Sequence, residues 1–221
     1  MKIKINESES VTVISYRAGK SKRLGTTLVL GHGAGANQTS DFMVNFAEGL
    51  AACGIDVMTF NFVYTEQGRK APDRAEKLET CFRAVVDAVG NKLNGNKLFI
   101  GGKSMGGRIA SQIAAAGVDD LRGLVFLGYP LHPPGKPEQL RAEHLSRIRK
   151  PMLFVQGAND AFGSAEELRP ILKKLKPAAQ LYEIAFGDHS FKVPKKSGIP
   201  QEQIHRMAQD HIAAWLQKLI S

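Results

Sequence analysis

Cysteine is nearly absent from this sequence: Cys53 and Cys81 are the two in 221 residues. Each sits in an apolar, helix-like context, and neither has the spacing of a disulfide framework or a metal site. That excludes a disulfide-stapled scaffold and gives a reducing, cytoplasmic setting as the expectation. Long apolar runs are missing too. No stretch of about 18 or more apolar residues occurs, so neither a membrane span nor a membrane partner is expected. The opening Met1-Lys2-Ile3-Lys4-Ile5-Asn6 lacks an apolar core and a small-residue cleavage site, so a secretory signal is not expected either. No repeat of about 20 to 50 residues and no low-complexity linker divides the chain. The expectation is a single domain over 1–221.

What remains is an ordinary globular balance, 43% hydrophobic and 23% charged, which argues against disorder. The net charge is +9, with the densest basic stretches at 141–150, 173–176 and 192–196. No helix-turn-helix, zinc-finger or aromatic RNA-binding motif accompanies them. They read as a solvated basic surface, and no nucleic-acid partner is expected.

Short β-branched or apolar runs alternate with helical patterns along the chain. Strands are predicted at 11–16, 26–30, 55–60, 97–100, 124–127, 152–156 and 181–185. Helices are predicted at 41–52, 73–93, 105–116, 165–174 and 201–219, with Pro170 a point of interruption in the fourth. This alternation implies an α/β fold: a mainly parallel sheet of about seven strands, helices on both faces. Functional residues then belong in loops beyond the carboxyl ends of strands. The stretch 130–150 is less regular, with Pro133, Pro134 and Pro137. It reads equally as a small cap insertion or as an ordinary strand-to-helix crossover.

After the strand at 97–100 comes Gly102-Lys103-Ser104-Met105-Gly106, a G-x-S-x-G string. A serine nucleophile needs this arrangement because it sits on a sharp strand-to-helix turn, and flanking glycines let strand and helix approach. The turn lifts the hydroxyl clear of the sheet and aims the Met105 N–H at a developing oxyanion. The string alone is modest evidence: with 22 glycines it arises by chance in roughly one such chain in eight. Its setting, between an apolar strand and an Ala-rich helix, is what marks it. A phosphate-binding turn is the rival, but no G-x-x-x-x-G-K-[ST] pattern exists.

The strand at 26–30 runs into Gly31-His32-Gly33-Ala34-Gly35-Ala36-Asn37. Small residues here allow a second oxyanion donor, the Ala34 N–H, with Gly33 and Gly35 as rivals. His32 precedes the nucleophile and reads as structural rather than as the base. The base is expected after the last strand, which makes His189 the candidate among six histidines. The acid is expected after the strand before it, in Gly157-Ala158-Asn159-Asp160, which makes Asp160 the candidate and Asp188 its weaker rival. The order Ser104, Asp160, His189 is the order that this turn's fold uses. Phe62, Tyr64 and Tyr129 follow strand ends and read equally as pocket or core. Arg108, one helical turn past Ser104, is expected in an internal salt bridge.

At these residues the sequence resembles the α/β-hydrolase superfamily over nearly its whole length. More closely, it is similar to small bacterial hydrolases grouped with the testis-expressed and NSL-complex-subunit hydrolase-like proteins, near the dienelactone hydrolases. Gly31-His32-Gly33-Ala34-Gly35, Phe60-Asn61-Phe62, Gly102-Lys103-Ser104-Met105-Gly106-Gly107-Arg108, Gly128-Tyr129-Pro130-Leu131 and Gly157-Ala158-Asn159-Asp160 carry the resemblance. It implies a serine hydrolase acting on a small acyl substrate, with no cofactor and no metal. Serine stands where dienelactone hydrolase has cysteine, so that activity is not implied. Some relatives serve as complex subunits, which leaves a non-catalytic binding or scaffold protein as the alternative.

Overall fold

The apolar runs fold as buried strands. The computed structural model describes residues 1–220. Eight strands form one sheet: β1 (Lys2–Lys4), β2 (Ser10–Tyr16), β3 (Thr26–Gly31), β4 (Asp56–Phe60), β5 (Lys97–Lys103), β6 (Leu121–Leu127), β7 (Met152–Gly157) and β8 (Gln180–Ile184). Their order is β1-β2-β4-β3-β5-β6-β7-β8. β1 and β2 pair antiparallel at one edge, and all pairings from β4 to β8 are parallel. This is the α/β-hydrolase fold. The expected count of about seven strands is short by β1, whose three residues are too few for a pattern.

Six helices cover the sheet: α1 (Asp41–Ala52), α2 (Val63–Glu66), α3 (Ala75–Gly90), α4 (Met105–Ala115), α5 (Ala165–Leu172) and α6 (Gln201–Ile220). Val29, Met58, Ile100, Phe126 and Phe154 point to the face of α3, α4 and α5. Leu28, Val57, Phe99, Val125, Leu153 and Val155 point to the face of α1 and α6. The period of two along each strand thus supplies two cores, which is why the central strands are apolar throughout. Burying each such side chain stabilises the fold by roughly 1.5–3 kcal/mol.

Several expected bounds need correction: β6 begins at Leu121 rather than 124, and α3 spans Ala75–Gly90 rather than 73–93. β5 runs three residues past 100, because Gly101, Gly102 and Lys103 keep parallel register with Val125, Phe126 and Leu127. The helix α5 is not broken by Pro170. It is only eight residues long, and its start is fixed by a capping box in which Ser164 and Glu167 satisfy each other's backbone N–H.

Candidate active site

Ser104 joins β5 to α4 with φ 50° and ψ −115°. A side-chain-bearing residue at positive φ costs of order 1–3 kcal/mol and persists only where its surroundings fix it. Here the Ser104 N–H donates to the Leu127 carbonyl at 3.0 Å, and the Ser104 carbonyl accepts from the Arg108 N–H at 3.0 Å. The flanking glycines are steric necessities. A Cβ on Gly102 would lie 2.3 Å from the Gly31 carbonyl oxygen, and one on Gly106 would lie 2.2 Å from the same atom. The end of β3 therefore passes directly against the turn.

The structure brings the three sequence-predicted side chains together. His189 Nε2 lies 2.8 Å from Ser104 Oγ. His189 Nδ1 lies 2.9 and 2.7 Å from the two Asp160 oxygens. A buried carboxylate can only accept, so Nδ1 carries the proton and Nε2 presents its lone pair to the serine hydroxyl. Asp160 is buried and is held by two further donors, the Phe162 N–H at 2.8 Å and Gln156 Nε2 at 2.8 Å. The Phe162 ring lies over the imidazole, centroids 4.2 Å apart. Asp188 stays off the imidazole. Its Oδ1 accepts from the N–H groups of Ser190 and Lys192 at 2.7 and 2.9 Å, which shapes the loop carrying His189.

Met105 is the first residue of α4, so its N–H has no acceptor within the helix. From the other side, a Cβ on Gly33 would stand 3.6 Å from Ser104 Cβ. Gly33, Ala34 and Ala36 line the same cavity as Ser104. His32 fixes this loop from behind. Its Nδ1–H donates to the Gly33 carbonyl at 2.8 Å, and its Nε2 accepts from the Phe62 N–H at 3.2 Å. Burial lowers its pKa to about 4, against the opposing pull of the Gly33 bond, so the ring stays neutral. It makes no bond to Ser104.

The cavity above Ser104 and His189 has a volume of about 610 Å³. Phe42, Met43 and Phe162 give it apolar walls, with Asn45, Gln201 and His205 farther along. Residues 130–150 line none of it. Their 3-10 turn, Glu143–Arg147, lies against α4 instead, where His144 Nε2 is 2.7 Å from Ser111 Oγ. Phe62, Tyr64 and Tyr129 are fully buried core residues. Arg108 departs from expectation. Among the described residues it forms no ion pair. Burial is the main influence on its guanidinium, and Arg141 adds repulsion.

Sequence reading missed Gln156 and Phe162. Gln156 is fully buried; the two N–H groups of its amide are shared among Asp160, the Gly163 carbonyl at 2.6 Å and the Tyr129 carbonyl at 3.2 Å, and its Oε1 accepts from the Tyr129 N–H at 2.7 Å. One signal was present: an amide closing the apolar run Met152-Leu153-Phe154-Val155, four residues before Asp160.

Several solved structures share this architecture. An alpha-beta serine hydrolase homologue from Coxiella burnetii superposes with a TM-score of 0.76 at 17% identity, over 96% of this chain and 95% of that one. An esterase from Pyrococcus furiosus gives 0.75 at 14% identity, over 100% and 91%. A dienelactone hydrolase from Anabaena variabilis gives 0.72 at 16% identity, over 95% and 94%. At such identities the likeness is one of fold. Among the described residues no helix is long and apolar enough to cross a membrane. The family described as alpha/beta hydrolase domain matches residues 25–217, and the chain belongs to that family.

Proposed function

We propose that the protein is a serine hydrolase acting on carboxylic esters or related acyl compounds. The observation that carries this reading is the continuous hydrogen-bonded relay from Ser104 through His189 to Asp160. In the first step Ser104 Oγ bonds to the acyl carbon as its proton passes to His189 Nε2. Asp160 holds the ring and offsets the charge of the imidazolium. The Met105 and Ala34 N–H groups receive the oxyanion. The bond to the leaving group then breaks, and His189 returns the proton to it. Water, deprotonated in turn by His189, attacks the acyl carbon and releases Ser104. Every group in this sequence belongs to the protein, so the chemistry calls for no cofactor.

The sequence resemblance to the testis-expressed and NSL-complex-subunit hydrolase-like group, carried by residues 31–35, 60–62, 102–108, 128–131 and 157–160, belongs to the same reading. So does a reducing, cytoplasmic setting, supported by two unpaired cysteines. The test uses short-chain p-nitrophenyl esters and a fluorophosphonate probe on the wild type and Ser104→Ala. Turnover and labelling by the wild type, both lost in the variant, are expected. A wild type with neither, or a variant that labels equally, rejects the proposal.

A further inference from the structure

Lys103 ends β5 and immediately precedes Ser104. By strand alternation its side chain enters the face of α1 and α6, the face that Phe99 also enters. It is only 9% exposed, and among the described residues no carboxylate pairs with it. Burying an unpaired ammonium is costly, so its contacts need a reason. Its hydrogen bond goes to one atom: Nζ donates to the His189 backbone carbonyl at 2.6 Å. The rings of Phe42 and Phe191 flank it, with centroids at 5.5 and 5.8 Å. Gly128 supplies the space. It has φ +66°, and a Cβ there would stand 2.9 Å from Nζ and 3.1 Å from the His189 carbonyl oxygen.

We propose that Lys103 is a positioning residue: its ammonium clamps the His189 carbonyl and so sets the reach of the imidazole to Ser104. The proposal rests on the serine-hydrolase reading. Two constraints then converge on His189, with Asp160 holding the ring and Lys103 holding the main chain. The clamp is charge-assisted, and such bonds are roughly twice as strong as neutral ones. Burial pulls the lysine pKa down to about 8, against the attraction of Asp160 and Asp188. Loss of the proton weakens the clamp without abolishing it, because the amine keeps N–H donors. The titratable and charged groups around it are Asp160, Asp188 and His189, with Asp41, Lys192 and His205 on the same cavity.

The experiment measures the fluorophosphonate labelling rate from about pH 6 to about pH 10 for the wild type, Lys103→Met and Lys103→Gln. The wild-type rate should fall as pH rises through about 8. Lys103→Met should label about 10- to 100-fold more slowly, the scale for a misplaced catalytic group, and should lack that fall. Lys103→Gln keeps a donor without the charge. It should recover part of the rate, again without the fall. A Lys103→Met variant with the wild-type rate or the wild-type profile overturns the clamp. So does a wild-type profile flat through this range, which needs no variant to fold. A crystal structure of Lys103→Met gives a readout independent of turnover. The clamp requires His189 Nε2 to move out of hydrogen-bond range of Ser104 Oγ, and retention of the 2.8 Å contact overturns it. A wild type that never labels, alongside a displaced His189 in the variant, rejects the hydrolase reading and leaves the clamp standing.

Discussion

Replacing Gln156 by leucine removes a polar hub while keeping nearly the same volume. The amide is fully buried at the end of β7: its Oε1 accepts from the Tyr129 N–H, and of its two N–H groups one serves the Gly163 carbonyl at 2.6 Å, with the Tyr129 carbonyl a longer, shared acceptor at 3.2 Å. It also gives Asp160 one of its donors. Leucine leaves the Tyr129 N–H and the Gly163 carbonyl without these partners, while the Tyr129 carbonyl keeps its bond from the Leu131 N–H at 3.0 Å. Each orphaned group costs about 1–3 kcal/mol, so a total of about 2–6 kcal/mol is expected for the two. That is a large share of the roughly 5–15 kcal/mol that holds a domain folded. Urea unfolding followed by Trp215 fluorescence is the assay. With an m-value of about 2–3 kcal/mol/M, the midpoint should drop by about 1–3 M. The fluorophosphonate rate, measured where the variant is still folded, should drop as well, because Asp160 has lost a constraint. A midpoint within about 0.3 M of wild type would refute the assignment of Gln156 as the hub of this loop.

Gly106→Ala drives a Cβ to 2.2 Å from a backbone carbonyl that cannot rotate away. The variant should lose more than about 3 kcal/mol or fail to accumulate as folded protein, read by thermal melting and soluble yield. Asp160→Asn should lower the labelling rate by about 10⁴-fold, because an amide favours the wrong imidazole tautomer. Asp188→Asn retains the Oδ1 acceptor that braces the loop and should stay within about tenfold of wild type. His32 binds its proton less tightly folded than unfolded, so the unfolded chain takes up protons first as pH falls. Its contribution is intact above about pH 6.5 and declines toward about 4, amounting to about 2 kcal/mol lost by pH 5. Stability measured across that window should fall with acid, and His32→Asn should flatten the slope.

The helices and central strands were legible because their side chains answer to local periodicity. The helix at 41–52 and the strand at 26–30 depend on patterns that any window shows. The three side chains that the structure joins by hydrogen bonds were legible for a different reason: loops at the carboxyl edge of a parallel sheet come in a fixed order, so Ser104, Asp160 and His189 are found by position. β1 and α2 escaped because three or four residues carry no period. The last three residues of β5 escaped because Gly101 and Gly102 are poor strand formers, held extended by neighbours on both sides. Lys103 and Gln156 escaped because their partners are remote, and sequence gives no distance between Lys103 and a carbonyl 86 positions on. Arg108 shows the reverse error. A charge on a helix invites a partner, but the nearby charge here is Arg141.

The walls of the cavity come partly from two helices and partly from the loops that carry Ser104, Asp160 and His189, among them Phe162 and Lys192. Phe42, Met43 and Asn45 lie on α1, and Gln201 and His205 begin α6, whereas Ser104, Asp160 and His189 hang from strand ends. The two helices are tied to each other, with Gln209 Nε2 donating to the Asn45 carbonyl at 3.1 Å, and α6 is also tied to the loop that carries His189, where Gln201 Nε2 donates to the Phe191 carbonyl at 2.8 Å. Under the proposed hydrolase function, substitutions at Met43 and His205 are expected to reshape what the cavity accepts, whereas Phe42 and Gln201 also touch the surroundings of His189. Met43 and His205 are then the positions for a library that tests selectivity under that proposal, and Phe42 is the position where cavity shape and the placing of His189 are coupled.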